Sequence, residues 1–261
     1  MDVQEVLTDL EGESASVDAL VAELPTAEWA RPTPAEGWTI GHQIAHLAWT
    51  DSVTLLSITD PDAFNATLSA AAEHLDGYVD RGAAEFLDEP PRLLTRWRDG
   101  RAKLAAALAG VPAGQRLPWF GVSMTAPSMA TARIMETWAH GLDIAESLGV
   151  TRTPTNRLRH VVFLGVRTMG HGFAMHGRPV PDAPVRVELT APDGTLWTYG
   201  PEDAENKLVG PAVDFCLLVT QRRHRDDLAL VATGPVANEW LDVAQAFAGP
   251  PGKGREPHES R

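Results

Sequence analysis

The sequence predicts an α+β protein, in which a bundle of α-helices is followed by a small α/β domain. In the first part of the chain, apolar residues recur mostly every three or four positions, which is the period of an amphipathic helix. After Pro184 the pattern changes, because Val185, Val187 and Leu189 alternate with polar residues as in a half-buried strand. The expected divisions are a helical bundle over residues 1–180, an α/β domain over 181–250 and a disordered tail over 251–261.

Four long helices are expected in the bundle. Pro25 ends the first, Thr39 is a suitable N-cap for the second, and Pro91 marks the break before the third. Pro127 suits the first turn of the fourth helix, and Gly149 is a natural stop for it. The expected long helices cover residues 2–24, 39–58, 92–110 and 127–149, with shorter helical stretches from residue 61 and over 155–176 and a loop over 111–126.

The α/β domain is expected to begin with a β-hairpin. Its turn is predicted at Pro192-Asp193-Gly194, between the alternating residues after Pro184 and the run Leu196-Trp197-Thr198-Tyr199. The elements expected after the hairpin are a helix over 211–221, a strand over 228–233 and a closing amphipathic helix over 236–247.

Composition excludes several classes of function. The 261 residues include 22 Lys and Arg against 35 Asp and Glu, and this net charge of −13 repels nucleic acids and anionic membrane surfaces. No export signal or membrane-spanning segment is expected. The single cysteine, Cys216, lies in an apolar run and predicts a buried thiol in a reducing compartment, so the expected location is the cytoplasm. The expected partner is a small-molecule substrate, bound by a monomer or homodimer.

Two segments carry residues typical of metal ligands. His42 and His46 lie one turn apart on the second helix, and Glu136 and His140 lie one turn apart on the fourth. We expect His46, Glu136 and His140 to bind one ion between the facing helices, as helix bundles commonly do. Two imidazoles and one carboxylate leave a coordination position open, which is typical of a catalytic site. Zinc is the expected ion, and iron, nickel or manganese would also fit this ligand set.

Each residue also has a simpler explanation. Two histidines one turn apart occur often by chance. His42 can replace Glu136 as a ligand, hydrogen-bond to a ligand, or fill space, and we prefer a role in ligand support or in the pocket wall. The tryptophans near the two segments either line a pocket for an apolar substrate or belong to the core, which is the more common place for aromatic residues. These tryptophans are Trp38, Trp49, Trp119 and Trp138.

The two segments together resemble a known family. The pattern GWTxGHxxxHLA, here residues 37–48, combined with ExxxHxxD, here residues 136–143, is similar to the DinB-like bundle proteins, in particular the mycothiol-dependent maleylpyruvate isomerase group. Members of that group append a small α/β domain that resembles sterol-carrier folds, so the resemblance covers nearly the whole chain. It implies a zinc ion held by His46, Glu136 and His140, whereas many relatives in the wider class use three histidines.

The resemblance also implies a mechanism. The open metal position would bind the thiol of mycothiol and lower its pKa, and the thiolate would serve isomerisation or S-transfer on an electrophilic small molecule. His42 or Asp143 would move protons. Asp143 stands where the isomerase has an amide, and for this reason the substrate contacts of the isomerase are not assigned to this chain. The α/β domain of the isomerase supplies an arginine to the active site, and Arg222 or Arg223 would match it by anchoring a substrate carboxylate. Alternatively, and equally well, these arginines lie at the C-terminal end of a surface helix, where the helix dipole favours positive charges.

Two alternatives to thiol chemistry stay open. The first is a metal-activated water that performs hydrolysis or a proton transfer without any thiol cofactor. The second is a metal-containing binding or carrier protein for a lipid-like or polyketide-like ligand. Enzyme classes that depend on GxSxG, Walker A, GxGxxG or CxxC motifs are not expected, because the sequence contains none in a suitable context.

Overall fold

The chain divides into two compact units. The structure, a computed structural model, describes residues 2–71 and 77–258. Its units are Met1–Arg152 and Thr153–Arg261, whereas the predicted bundle extended to residue 180. The helical stretch after residue 153 therefore belongs with the sheet of the second unit and not with the bundle.

The first unit is mostly helical in the part of it that the structure describes. It also contains a short antiparallel hairpin, within the segment predicted as a loop over 111–126. The elements are α1 Val3–Val21, α2 Ile40–Thr59, α3 Pro61–Ala71, α4 Tyr78–Phe86, α5 Pro90–Ala109, β1 Leu117–Trp119, β2 Val122–Met124 and α6 Ala126–Leu148.

Four of these helices form the predicted bundle. Helix α1 packs along α6 and helix α2 packs along α5, and α2 also contacts α6. Burial of apolar side chains between these faces is the main stabilising contribution to such a bundle. The core between them includes Val17, Val21, Ile40, Ile44, Leu47, Leu93, Trp97 and Ile144.

The ends of α2 and α6 follow the signals in the sequence. Thr39 caps α2, and its partner in the capping box is the side chain of His42. Thr125 caps α6 through a hydrogen bond from the backbone N–H of Ser128, and Gly149 ends this helix in the left-handed conformation. Both helices that carry the predicted metal ligands therefore begin with a capping side chain, which holds the first turn in place.

The second unit combines helices with a four-stranded sheet. The strand order is β4-β3-β5-β6, with β3 and β5 parallel and the other pairs antiparallel. The hairpin and the α+β class were predicted correctly, but the central strand β5 was missed. The elements are α7 Leu158–Arg167, α8 Met169–Met175, β3 Val185–Thr190, β4 Leu196–Tyr199, β5 Asn206–Pro211, α9 Ala212–Val219, β6 Val231–Thr233 and α10 Pro235–Val243.

Close backbone contacts explain why α7 and α8 belong to the second unit. A Cβ atom at Gly165 of α7 would lie 2.9 Å from the ring of Phe215 on α9. A Cβ atom at Gly172 of α8 would lie 2.4 Å from the backbone carbonyl oxygen of Val243. These glycines let the two helices approach α9 and α10 closely. Cys216 of α9 is buried as predicted, and burial raises the pKa of its thiol well above the usual value.

The end of the chain contacts its own unit. Residues 251–258 form no helix or strand, but the backbone N–H of Gly252 donates to Oε1 of Gln221 at 3.1 Å and that of His258 donates to Oδ1 of Asp227 at 3.0 Å. The remainder of the predicted disordered tail, residues 259–261, lies outside the described residues. None of the helices described here is long and apolar enough to cross a membrane.

Candidate metal centre

Helices α2 and α6 bring together the three side chains that the sequence predicts as metal ligands. The Nε2 atoms of His46 and His140 each lie 3.2 Å from the same atom, Oε2 of Glu136. The two imidazole rings have their centroids 4.3 Å apart. One ligand-type atom from each residue lies within 4.8 Å of the other two, and we found no second group of this kind in residues 2–71 and 77–258.

These separations suit a tetrahedral ion. Zinc bonds of about 2.0–2.2 Å and the tetrahedral angle place neighbouring ligand atoms about 3.3–3.5 Å apart. The two separations of 3.2 Å are close to that edge length. An ion held by these three atoms would keep a fourth position for another ligand. The donor set therefore fits a divalent metal in its chemistry and in its spacing.

The charge of Glu136 is stabilised by its neighbours. Burial raises the pKa of this carboxyl group, but hydrogen bonds with His140 and His46 and the positive charge of Arg133 outweigh burial and hold the pKa well below the usual value. Nη2 of Arg133 lies 3.8 Å from Oε1 of Glu136, the oxygen that faces away from the imidazoles. Glu136 is therefore ionised at neutral pH, which is the state that metal binding requires.

Gln43 of α2 sets the tautomer of His140. The Nδ1–H of His140 donates to Oε1 of Gln43 at 2.5 Å, and Nε2 of Gln43 donates to Oγ1 of Thr33 at 2.8 Å. The hydroxyl of Thr33 donates in turn to the backbone carbonyl of Trp38 at 3.0 Å, so it can only accept from Gln43. The amide oxygen of Gln43 must then face His140, which keeps a proton on Nδ1, so a metal at the centre would replace the Nε2 proton that this imidazole shares with Glu136.

Trp38 and Trp49 form aromatic walls beside the cluster. The indole of Trp38 stacks on His140 at 5.9 Å between centroids and lies 5.3 Å from the ring of His46. Its Nε1–H donates to Oδ1 of Asp80 on α4 at 2.8 Å, which fixes the ring over the site. The ring of Trp49 lies 5.8 Å from His46 on another side. Trp38 is half-buried and Trp49 is buried, so these two residues line the site as well as filling the core.

The four predicted catalytic residues lie outside the three-residue cluster. Nδ1 of His42 contacts Oγ1 of Thr39 at 2.8 Å in the capping box, and burial lowers the pKa of His42. Asp143 is buried in α6, three residues beyond His140. Nη1 of Arg222 and Nη1 of Arg223 donate to backbone carbonyls in the second unit. Their predicted roles in proton transfer and carboxylate binding stay predictions.

Two residues at this site, Gln43 and Arg133, were not predicted from the sequence. Gln43 lies three residues before His46, and Arg133 lies three residues before Glu136, so each shares a helix face with a ligand. Both are buried. A polar residue one turn from a metal ligand, on the apolar face of a helix, is the signal that could have identified them.

Several known proteins are similar to this chain in sequence or in fold. The family model described as the mycothiol maleylpyruvate isomerase N-terminal domain matches residues 10–145, and one described as wyosine base formation matches residues 181–233. Two uncharacterized proteins from two strains of Mycobacterium tuberculosis are each 52% identical over 250 residues, which are 95% of this chain and 97% of each relative. Crystal structures of the mycothiol-dependent maleylpyruvate isomerase and of a histidine-to-alanine mutant of it each match with a TM-score of 0.57 at 17% identity, over 91% of this chain and 96% of theirs.

Proposed function

The chain belongs to the family of the mycothiol maleylpyruvate isomerase N-terminal domain, and we propose that it is a metal-dependent enzyme of the mycothiol-dependent isomerase or thiol S-transferase type. The observation that carries the proposal is the approach of His46 and His140 to one oxygen of Glu136, both at 3.2 Å. The matches to the isomerase family support the choice of thiol chemistry over other uses of a metal.

The chemistry depends on a ligand at the open position. A divalent metal lowers the pKa of a bound thiol, and addition of the thiolate to an electron-poor double bond leads to isomerisation if the thiol is lost again and to S-transfer if it is retained. His46, Glu136 and His140 would hold the metal, and Gln43 would keep Nε2 of His140 available to it. Trp38 would limit the access of water from the side on which it stacks.

Other residues of the chain would act on the substrate. His42 and Asp143 each lie within one turn of a metal ligand on their helices, and we propose that one of them moves a proton during the reaction. Arg222 or Arg223 would bind a substrate carboxylate, because a guanidinium pairs with both carboxylate oxygens. The small-molecule substrate would be an electrophile.

Elemental analysis of the purified protein tests the metal. We expect about one zinc per chain in the wild type and a marked loss in His46→Ala, Glu136→Ala and His140→Ala, since each removes a ligand. His171→Ala is the matched control, because His171 is an exposed histidine of α8, outside the cluster. A wild type that takes up no divalent metal, or ligand variants that retain it as the control does, would contradict the proposal.

Thermal shift with mycothiol tests the thiol. A thiol at about 100 times its Kd should stabilise the metal-loaded protein by about 2.7 kcal/mol. S-methyl mycothiol is the control compound, since its sulfur cannot become a thiolate, and His46→Ala is the control protein. If mycothiol gives neither a shift nor turnover with the loaded wild type, the thiol proposal is wrong and a metal-activated water becomes the better candidate.

A further inference from the structure

Arg133 of α6 is a buried cation whose donors are incompletely paired. Its side chain is 2% exposed, and Nε and Nη1 have no hydrogen-bond acceptor in the described part of the chain. The nearest carboxylate oxygens are Oδ1 of Asp51 at 3.9 Å and Oε1 of Glu136 at 3.8 Å, both beyond hydrogen-bond distance. Buried N–H groups nearly always have an acceptor, and leaving one without an acceptor is costly. The side chain is therefore arranged for an acceptor that a bound molecule brings.

Aromatic side chains of the same unit connect Arg133 with the metal centre. The guanidinium carbon lies 5.7 Å from the centroid of the Trp119 ring. From there, successive rings lie 4.8 to 6.1 Å apart until the last one reaches a metal ligand. This aromatic arc consists of Trp119, Phe120, Tyr78 and Trp49, and it ends at His46. Aromatic rings favour contact with a flat unsaturated or aromatic group.

Arg133 also lies next to the ligand set. It precedes Glu136 by less than one helical turn, and its guanidinium approaches the oxygen of Glu136 that the imidazoles do not use. Asp51 lies on its other side and partly balances its charge. Nε and Nη1 point to opposite sides of the guanidinium, so a carboxylate would accept from one of them together with Nη2. It would lie a few ångströms from the metal ligands, and through Nη1 it would compete with Asp51 for the guanidinium.

We propose that Arg133 and the aromatic arc form an anion subsite in the first unit, which binds the planar carboxylate of a small unsaturated or aromatic acid beside the metal centre. The fork of the guanidinium matches a carboxylate in shape and charge. All residues of the subsite belong to the first unit, whereas Arg222 and Arg223 belong to the second. The use of the subsite for a substrate rests on the proposed function, whereas the binding of an anion does not.

Calorimetry with benzoate on the full-length chain tests the subsite, both after removal of metal by a chelator and after loading with zinc. We expect one benzoate per wild-type chain in both states, with benzamide binding at least about tenfold more weakly because it lacks the charge. Arg133→Gln should lower the benzoate affinity about tenfold or more, and Arg133→Lys should lower it less. Arg116→Gln is the matched control, because Arg116 is exposed and bonds to Ser123 in the hairpin.

A second variant, at the carboxylate of Asp51 that faces Arg133, tests the subsite if Arg133→Gln does not fold. Asp51→Asn should raise the benzoate affinity, since it removes the competing carboxylate. The subsite is refuted if the wild type binds no benzoate at millimolar concentration, if Arg133→Gln binds it as tightly as the wild type, or if binding requires the metal, which would place the carboxylate on the ion. A chain that takes up no metal but binds benzoate through Arg133 would refute the proposed function and leave the subsite intact.

Discussion

Replacement of Gln43 by leucine should weaken metal binding although Gln43 is not a ligand. The variant removes the acceptor of the His140 Nδ1–H bond and the donor to Thr33, at 2.5 and 2.8 Å. Without the amide oxygen, Nδ1 of His140 loses the interaction that keeps its proton there and orients Nε2 toward the centre. Loss of such a supporting residue costs about 10- to 100-fold in metal affinity, or about 1.4–2.7 kcal/mol. The metal-free protein should lose about 1–2 kcal/mol of stability from the unpaired donor.

Competition with a chromogenic zinc chelator measures the affinity, and urea unfolding of the metal-free protein measures the stability. Thr54→Val is the matched control, because Thr54 is also buried in α2 and its hydroxyl donates to the backbone carbonyl of Thr50 at 2.7 Å. It should lose about 1 kcal/mol of stability and keep the wild-type zinc affinity. Gln43→Glu keeps an acceptor for His140 and should retain zinc. This role of Gln43 is refuted if Gln43→Leu binds zinc as tightly as the wild type, or if Thr54→Val loses as much zinc affinity as Gln43→Leu.

Two further predictions concern stability. Gly82→Ala should lower the free energy of unfolding in urea by about 1–3 kcal/mol, because the new Cβ atom would lie 2.2 Å from the ring of Trp49. Gly100→Ala should raise it by about 0.5–1 kcal/mol, because the space around its Cβ atom is open. Equal effects of the two changes would contradict this difference in packing. Burial raises the pKa of Asp51 from 3.8 to about 7 against the charge of Arg133. The folded state therefore binds the proton more tightly than the unfolded state. This carboxyl group lowers the stability of the fold as the pH rises from the unfolded pKa of 3.8 to the folded pKa of about 7. The unfolding free energy of Asp51→Asn relative to wild type should increase by about 2 kcal/mol between pH 5 and pH 8, and parallel stability curves would rule this out.

The helices of the bundle follow from local signals in the sequence. The period of apolar residues, the cap at Thr39 and the stop at Gly149 act within a few residues, so they predict where helices begin and end. The ligand pair on α6 is also local, because Glu136 and His140 are one turn apart on any helix. The helix ends and the α+β class were predicted correctly, whereas the role of Glu136 and His140 as metal ligands stays a prediction.

Local signals failed where an element depends on its neighbours. The strand β5, Asn206–Pro211, has a glycine and a proline at its end and little alternation, and it is stabilised by pairing with β3 on one side and β6 on the other. The helix α7 has the period of a bundle helix, but periodicity indicates a buried face without indicating its partner. Its close contact with Phe215 assigns it to the second unit.

The sequence by itself determined the residue types and the spacing of the candidate ligands, since both are properties of single helices. Only the tertiary structure decided that His46 meets Glu136 across 90 residues and that Gln43 meets His140 across 97. It alone also brought Arg133 between Asp51, Glu136 and the ring of Trp119. Such contacts arise from the packing of whole helix faces. That packing depends on the summed burial of many apolar side chains and not on the polar residues that it brings together.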